Sequence, residues 1–93
     1  MTEDFEGLYA IFNLKHSMEV LTLLADEEEY RFSEVERQIG ASSDVTTRVL
    51  DLLCKEELVT RQEENSRTVH YTITDKGKEF LTTARELEAK LNT

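Results

Sequence analysis

The stretch SEVERQIGASSDVTTRVLDLLCKEE, residues 33–57, decides the fold. Ser33 and Glu36 have capping-box spacing, in which a serine and a glutamate three residues on satisfy each other's orphan amides, so a short helix is predicted over Glu34–Ile39. Gly40 follows Ile39 and fits a helix C-terminal stop. Ser42 or Ser43 then caps a further helix that extends to about Glu57, with Val45, Val49, Leu50, Leu52 and Leu53 turned inward. Asp44, Thr47, Arg48, Asp51 and Lys55 fall at offsets of 0, 3, 4, 7 and 11, one polar stripe on the side away from that core. Two helices joined by a turn at Gly40–Ser43 make a helix-turn-helix unit.

Upstream, Phe5, Leu8, Tyr9, Ile11 and Phe12 follow a helical period from Asp4 to Asn13, weakened somewhat by Gly7. A second helix is predicted from about Lys15 to Ala25 on Met18, Val20, Leu21 and Leu24, followed by the acidic run Asp26–Glu29 as a solvated loop. Downstream the period changes to two. Val59 and Arg61 lead to the polar tip Glu63-Glu64-Asn65-Ser66, and Val69, Tyr71 and Ile73 alternate with Thr68, His70, Thr72 and Thr74, which is a two-stranded hairpin. Thr74 or Asp75 caps a last helix in which Phe80, Ala84, Leu87 and Leu91 recur at offsets of 0, 4, 7 and 11.

The fold class is therefore mainly α with a small β-hairpin, a winged helix-turn-helix with a helical extension at each end. One domain is expected over residues 1–93: an N-terminal helix within 1–14, the helix-turn-helix core and wing in 15–74, and a C-terminal dimerisation helix in 75–93. A core this small is marginal alone, so a dimer is expected.

The 93 residues carry twenty acidic and eleven basic side chains, a net charge of −9. That excess argues against a polyanionic partner until its distribution is read: residues 1–30 hold eight acids and one base, residues 31–74 eight and six, residues 75–93 four and four. A phosphate-facing surface has to come from the middle, where Arg31, Arg37, Arg48, Lys55, Arg61 and Arg67 are spread. Cys54 has no second cysteine to pair with, and His16 and His70 match no metal-ligand spacing, so neither disulfide, metal nor cofactor is expected. No apolar run approaches the roughly 20 residues of a membrane span, and the start Met1-Thr2-Glu3-Asp4 lacks a basic, apolar leader; a cytoplasmic location is expected.

The segment Arg31-Phe32-Ser33-Glu34 through Ile39-Gly40-Ala41-Ser42, continued by Leu50 to Leu58-Val59-Thr60-Arg61 and closed by Val69-His70-Tyr71-Thr72-Ile73-Thr74-Asp75-Lys76-Gly77, resembles the signature of HxlR-type transcriptional regulators. MarR, ArsR and PadR types share parts of it. The resemblance covers roughly residues 14–81. It implies a homodimeric DNA-binding protein that pairs through its terminal helices, for which Leu8, Tyr9 and Phe12 with Phe80, Ala84, Leu87 and Leu91 are the matching material. Ser43 stands where the family often has proline, Glu57 where it has glycine, and no cysteine precedes the second helix where the family usually carries one.

Groove dimensions lead to the same residues. The major groove admits one helix, whose N-terminal turn meets base edges while the wing reaches the backbone or minor groove. Ser42, Ser43, Asp44, Thr46, Thr47 and Arg48 occupy that turn, Arg31 and Ser33 are placed for phosphate at the start of the preceding helix, and Arg61, Arg67 and His70 would serve the wing. Double-stranded DNA and a second copy of the chain are the expected partners, on an inverted-repeat site. The bland readings are a surface ion pair for Arg48, a small core residue for Cys54, and ordinary polar roles for the histidines. The alternative function is a winged helix for protein recognition in a transcription or replication assembly. An enzyme is not expected, since there is no nucleophile-and-base pairing and no Gly-rich phosphate loop. The twenty acids against five lysines fit adaptation to concentrated salt.

Overall fold

Asp4 Oδ1 accepts the Glu6 amide at 3.1 Å, where α1 (Glu6–Asn13) begins. The computed structural model describes residues 4–26 and 29–93. After α1 come α2 (Ser17–Asp26), β1 (Tyr30–Arg31), α3 (Phe32–Ile39), α4 (Ser43–Lys55), β2 (Val59–Asn65), β3 (Thr68–Ile73) and α5 (Asp75–Leu91). The break between α1 and α2 is sharper than the periodicity suggested: His16 adopts a left-handed φ of 75°, so α2 starts at Ser17, and the ring nitrogen of His16 lies 2.7 Å from Glu19. Of the acidic run, Glu27 and Glu28 lie outside the described residues, while Asp26 closes α2.

The expected two-stranded hairpin is a three-stranded antiparallel sheet of order β1-β3-β2. Tyr30 faces Tyr71 and Arg31 faces His70 across β1 and β3; Arg61 faces Tyr71 and Gln62 faces His70 across β2 and β3. Two residues carry no period of their own, so β1 is a product of pairing with β3 rather than of local pattern.

The start of α3 also differs from expectation. Arg31, not Ser33, is the N-cap residue, and its amide donates to Glu34 Oε1 at 2.9 Å. The reciprocal half of a capping box is missing because an arginine side chain has no acceptor. Ser33 lies inside the first turn, exposed. At the other end Gly40 takes a φ of 66° and its amide donates to the Glu36 carbonyl at 3.0 Å, the helix stop read from the sequence. Ser42 caps α4, accepting the Val45 amide at 3.3 Å.

The C-terminus of α4 is a Schellman turn: the Leu58 amide donates to the Leu53 carbonyl at 2.9 Å and the Glu57 amide to the Cys54 carbonyl at 3.0 Å. Such a turn needs a left-handed residue, and Glu57 supplies it with a φ of 63°. This accounts for the glycine found there in the HxlR-type pattern. Lys76 Nζ donates to the Glu56 carbonyl at 2.9 Å, satisfying another of the orphan acceptors at this end. Thr74 caps α5 by accepting the Gly77 amide at 2.9 Å.

The core lies between α2, α3, α4 and the inner face of the sheet. Val20, Leu21 and Leu24 of α2 meet Val35 and Ile39 of α3, Val49, Leu50 and Leu53 of α4, and Leu58, Val59, Tyr71 and Ile73 below them. Each fully buried aliphatic side chain stabilises the fold by about 1.5–3 kcal/mol, so this cluster fixes the angle at which α4 leaves α3. The radius of gyration is 13.7 Å and the long axis 45 Å, more extended than the roughly 12 Å expected of a compact chain this long. Beyond Leu81, α5 is largely exposed and accounts for the excess.

Candidate nucleic-acid interface

Helix α4 divides cleanly. Thr46, Val49, Leu50 and Leu53 are buried; Asp44, Thr47, Arg48, Asp51 and Lys55 are all exposed on the opposite stripe. The stripe is as read from the sequence, with one correction inside the first two turns. Thr46 is 0% exposed and donates its hydroxyl to the Ser42 carbonyl at 2.9 Å, so it belongs to the core and not to a DNA-reading surface. Ser42 and Ser43 stay on the surface, each with one hydroxyl hydrogen bond already made: Ser42 accepts as the helix cap, and Ser43 donates to the Glu36 carboxylate of α3. That tie across the Gly40 turn was missed, although Glu36 and Ser43 are visible seven residues apart. Among the described residues Arg48 makes no ion pair, which leaves its guanidinium to solvent in spite of Asp44 and Asp51 on the same stripe.

The start of α3 and the tip of the wing come together. Arg31, Phe32 and Ser33 line one side of a cleft of about 390 Å³, and Arg67, Thr68 and Val69 the other. Arg67 is held at the tip because Asn65 Oδ1 accepts both the Arg67 amide at 2.9 Å and the Thr68 amide at 3.0 Å. Two guanidinium groups and a helix N-terminus thus border one opening, an arrangement suited to phosphate oxygens.

The other two wing residues are elsewhere. Arg61 lies opposite Tyr71, on the core side of the sheet, and lines a hollow with Cys54, Thr74 and Lys76. Its guanidinium stands against the Tyr71 phenol and 3.4 Å from Glu63 Oε1. His70 points from the other face and is 14% exposed, with Nδ1 2.9 Å from Glu29 and Nε2 2.9 Å from Glu64. Flanked by two carboxylates and largely covered, it presents nothing to a phosphate backbone. Burial pushes the Cys54 thiol up, Asp51 adds to the shift and Arg61 opposes it, so the neutral thiol is favoured, as for a small half-buried core residue.

On a separate face, Leu8 and Phe12 of α1 meet Phe80, Ala84 and Leu87 of α5 around an apolar groove of about 340 Å³ floored by Leu58. The Phe12 and Phe80 rings stand 6.1 Å apart. Tyr9, 62% exposed, turns away and packs edge-on against Phe5 at 6.4 Å, and Leu91 lies beyond the groove at 80% exposure.

A family profile described as the O-methyltransferase dimerisation domain matches residues 9–83. The chain belongs to that family. No curated protein matches it by sequence. Among solved structures, this chain is similar to quinone-bound YodB from B. subtilis, at 25% identity and a TM-score of 0.79 over 99% of this chain and 98% of that one. RosR from H. salinarum matches at 21% identity and a TM-score of 0.75 over 82% and 74% of the two chains. The transcriptional regulator BldR from Sulfolobus solfataricus matches at 24% and 0.73 over 92% and 63%. At their identities the last two show the fold alone. YodB is described as a transcriptional regulator, so the resemblance read from Arg31 to Gly77 and the winged helix-turn-helix architecture both stand. Among the described residues no helix is long and apolar enough to cross a membrane.

Proposed function

We propose that this chain is a DNA-binding transcriptional regulator that acts as a homodimer in the cytoplasm. Each subunit inserts α4 into a major groove, and the two grooves are successive ones about 34 Å apart on an inverted repeat. The observation that carries this reading is the division of α4: a capped N-terminal turn, a buried apolar side, and an exposed stripe with a solvent-facing Arg48; the Arg31, Ser33 and Arg67 cleft adds to it. An exposed arginine here would bind guanine bidentately, and the cleft would hold the backbone. The apolar groove between α1 and α5 supports pairing of two copies, as does the family's description as a dimerisation domain.

The double variant Arg48→Ala, Arg67→Ala tests the reading. Both side chains are exposed, so the fold should survive while binding to duplex DNA is lost. A second reading, a winged helix used for protein contact alone, takes support from the same family description; on that reading the double variant keeps its protein partner and the parent never bound DNA.

The acidic coat fits a concentrated-salt interior. At about 1 M salt the Debye length falls to about 3 Å, which silences long-range repulsion from DNA and makes close contacts decide binding. Equal folding and DNA affinity in dilute buffer and in molar potassium chloride would remove this part of the reading.

A further inference from the structure

We infer that Asp44 reads cytosine, and that with Arg48 it makes two closely spaced G·C pairs the centre of each half-site. The inference rests on the DNA-binding reading above and deepens it.

The structure narrows the reading set by elimination. Of the side chains in the first two turns of α4, the Ser42 hydroxyl accepts the Val45 amide, the Ser43 hydroxyl is given to Glu36, and Thr46 is buried. Among the described residues Asp44, Thr47 and Arg48 are exposed with no side-chain hydrogen bond or ion pair, and of these three Asp44 is nearest the N-terminus. A helix entering the groove by this end brings a carboxylate to the bases first.

That carboxylate cannot be neutral in its effect. It is an acceptor only, and it enters a groove of strongly negative potential. Guanine N7 and O6 and thymine O4 are acceptors and repel it. Two donors are available on the major-groove floor, cytosine N4 and adenine N6. Adenine sets its N7 acceptor beside the amino group, where it opposes the second carboxylate oxygen, and cytosine sets none there. Cytosine is the base that accommodates Asp44.

Arg48 lies four residues on, about 6 Å along the helix axis, which is roughly two base-pair steps of 3.4 Å. A guanine for Arg48 and a cytosine for Asp44 therefore fall within two base pairs of each other. Thr47 between them offers a methyl group to a thymine. The exposed stripe holds two acids and two bases, Asp44 and Asp51 with Arg48 and Lys55, so it has no net charge with which to grip DNA of arbitrary sequence. An interface of this kind trades affinity for discrimination.

Asp44 is also an acidic residue in the first turn of α4, where it complements the helix dipole, and a purely structural role predicts no base preference. Selection from a randomised duplex library by the full chain, Asp44→Asn and Asp44→Ala, with thermal melts to confirm that each is folded, separates the two. The wild type should enrich half-sites with a cytosine within two base pairs of the Arg48 guanine. Asp44→Ala should lose the preference at that cytosine, and Asp44→Asn should move it to adenine, which asparagine reads bidentately, each by about tenfold to a hundredfold. If all three enrich one motif with unchanged base frequencies, Asp44 is a dipole partner alone and the inference is overturned while DNA binding stands. If the wild type enriches no motif, both fall together.

Discussion

The Leu58 carbonyl oxygen lies 2.2 Å from where a Cβ on Gly77 would stand. The same carbonyl accepts the Thr74 amide at 3.0 Å, so the first turn of α5 is seated directly on the link between α4 and β2. Alanine gains about 1 kcal/mol of helix propensity over glycine, but here its methyl meets backbone that cannot rotate aside. Gly77→Ala should destabilise the chain by about 3 kcal/mol, with a drop in Tm of more than about 10 °C by circular dichroism. An unchanged Tm would mean that α5 is not docked as described.

Glu57 gives the opposite expectation. It holds a φ of 63° in a Schellman turn, with its side chain exposed. The left-handed region costs a non-glycine residue about 1–2 kcal/mol, and glycine returns part of that as entropy in the unfolded chain. Glu57→Gly should therefore raise the unfolding free energy by about 0.5–1 kcal/mol in urea, at an unchanged m value.

Thr46 and Thr47 are neighbours with separate duties. The Ser42 carbonyl that Thr46 contacts also accepts the Thr46 amide, so Thr46→Val leaves it partnered and should change stability by no more than about 1 kcal/mol, with DNA affinity intact. Thr47→Ala should leave unfolding unchanged and weaken binding to the selected site by about tenfold. Fluorescence anisotropy beside a urea titration reads both.

Helices α1 and α5 hold the apolar groove in which the second subunit is proposed to pack. A carboxylate buried there without a partner is strongly unfavourable. Phe12→Glu with Leu87→Glu should convert a dimer to a monomer in sedimentation velocity and lower affinity for an inverted repeat by at least about tenfold, since the two half-sites are then bound independently. A parent chain that sediments as a monomer would overturn the pairing.

Much of this was legible from local pattern. Gly40 as a stop, a cap at Ser42 or Ser43 and another at Thr74 or Asp75, and the stripe from Asp44 to Lys55 depend on residues a few positions apart; the structure has the stop and the stripe as read and gives the caps to Ser42 and Thr74. What escaped depends on distant partners. Strand β1 exists because Tyr30 finds Tyr71 forty-one residues on. The start of α3 moved from Ser33 to Arg31 because β1 runs straight into it, and Glu34 then serves the Arg31 amide. Thr46 looked like surface by residue type, yet its position on the inward side of α4 puts it in the core with Val49 and Leu50. His70 lies in the wing strand and reads as a DNA contact beside Arg61 and Arg67, but its two carboxylate neighbours, Glu29 and Glu64, come from the approach to β1 and from β2. The pairing of Arg31 and Ser33 with Arg67 across one cleft likewise needed the folded chain.

Chromatin occupancy of the tagged protein in its native cell decides whether α4 reads DNA. A short inverted repeat beneath the enriched sites, with half-site centres about 10 base pairs apart and the enrichment abolished by Arg48→Ala, is the expected result. Absence of enrichment across growth conditions, or enrichment that Arg48→Ala leaves intact, would contradict it.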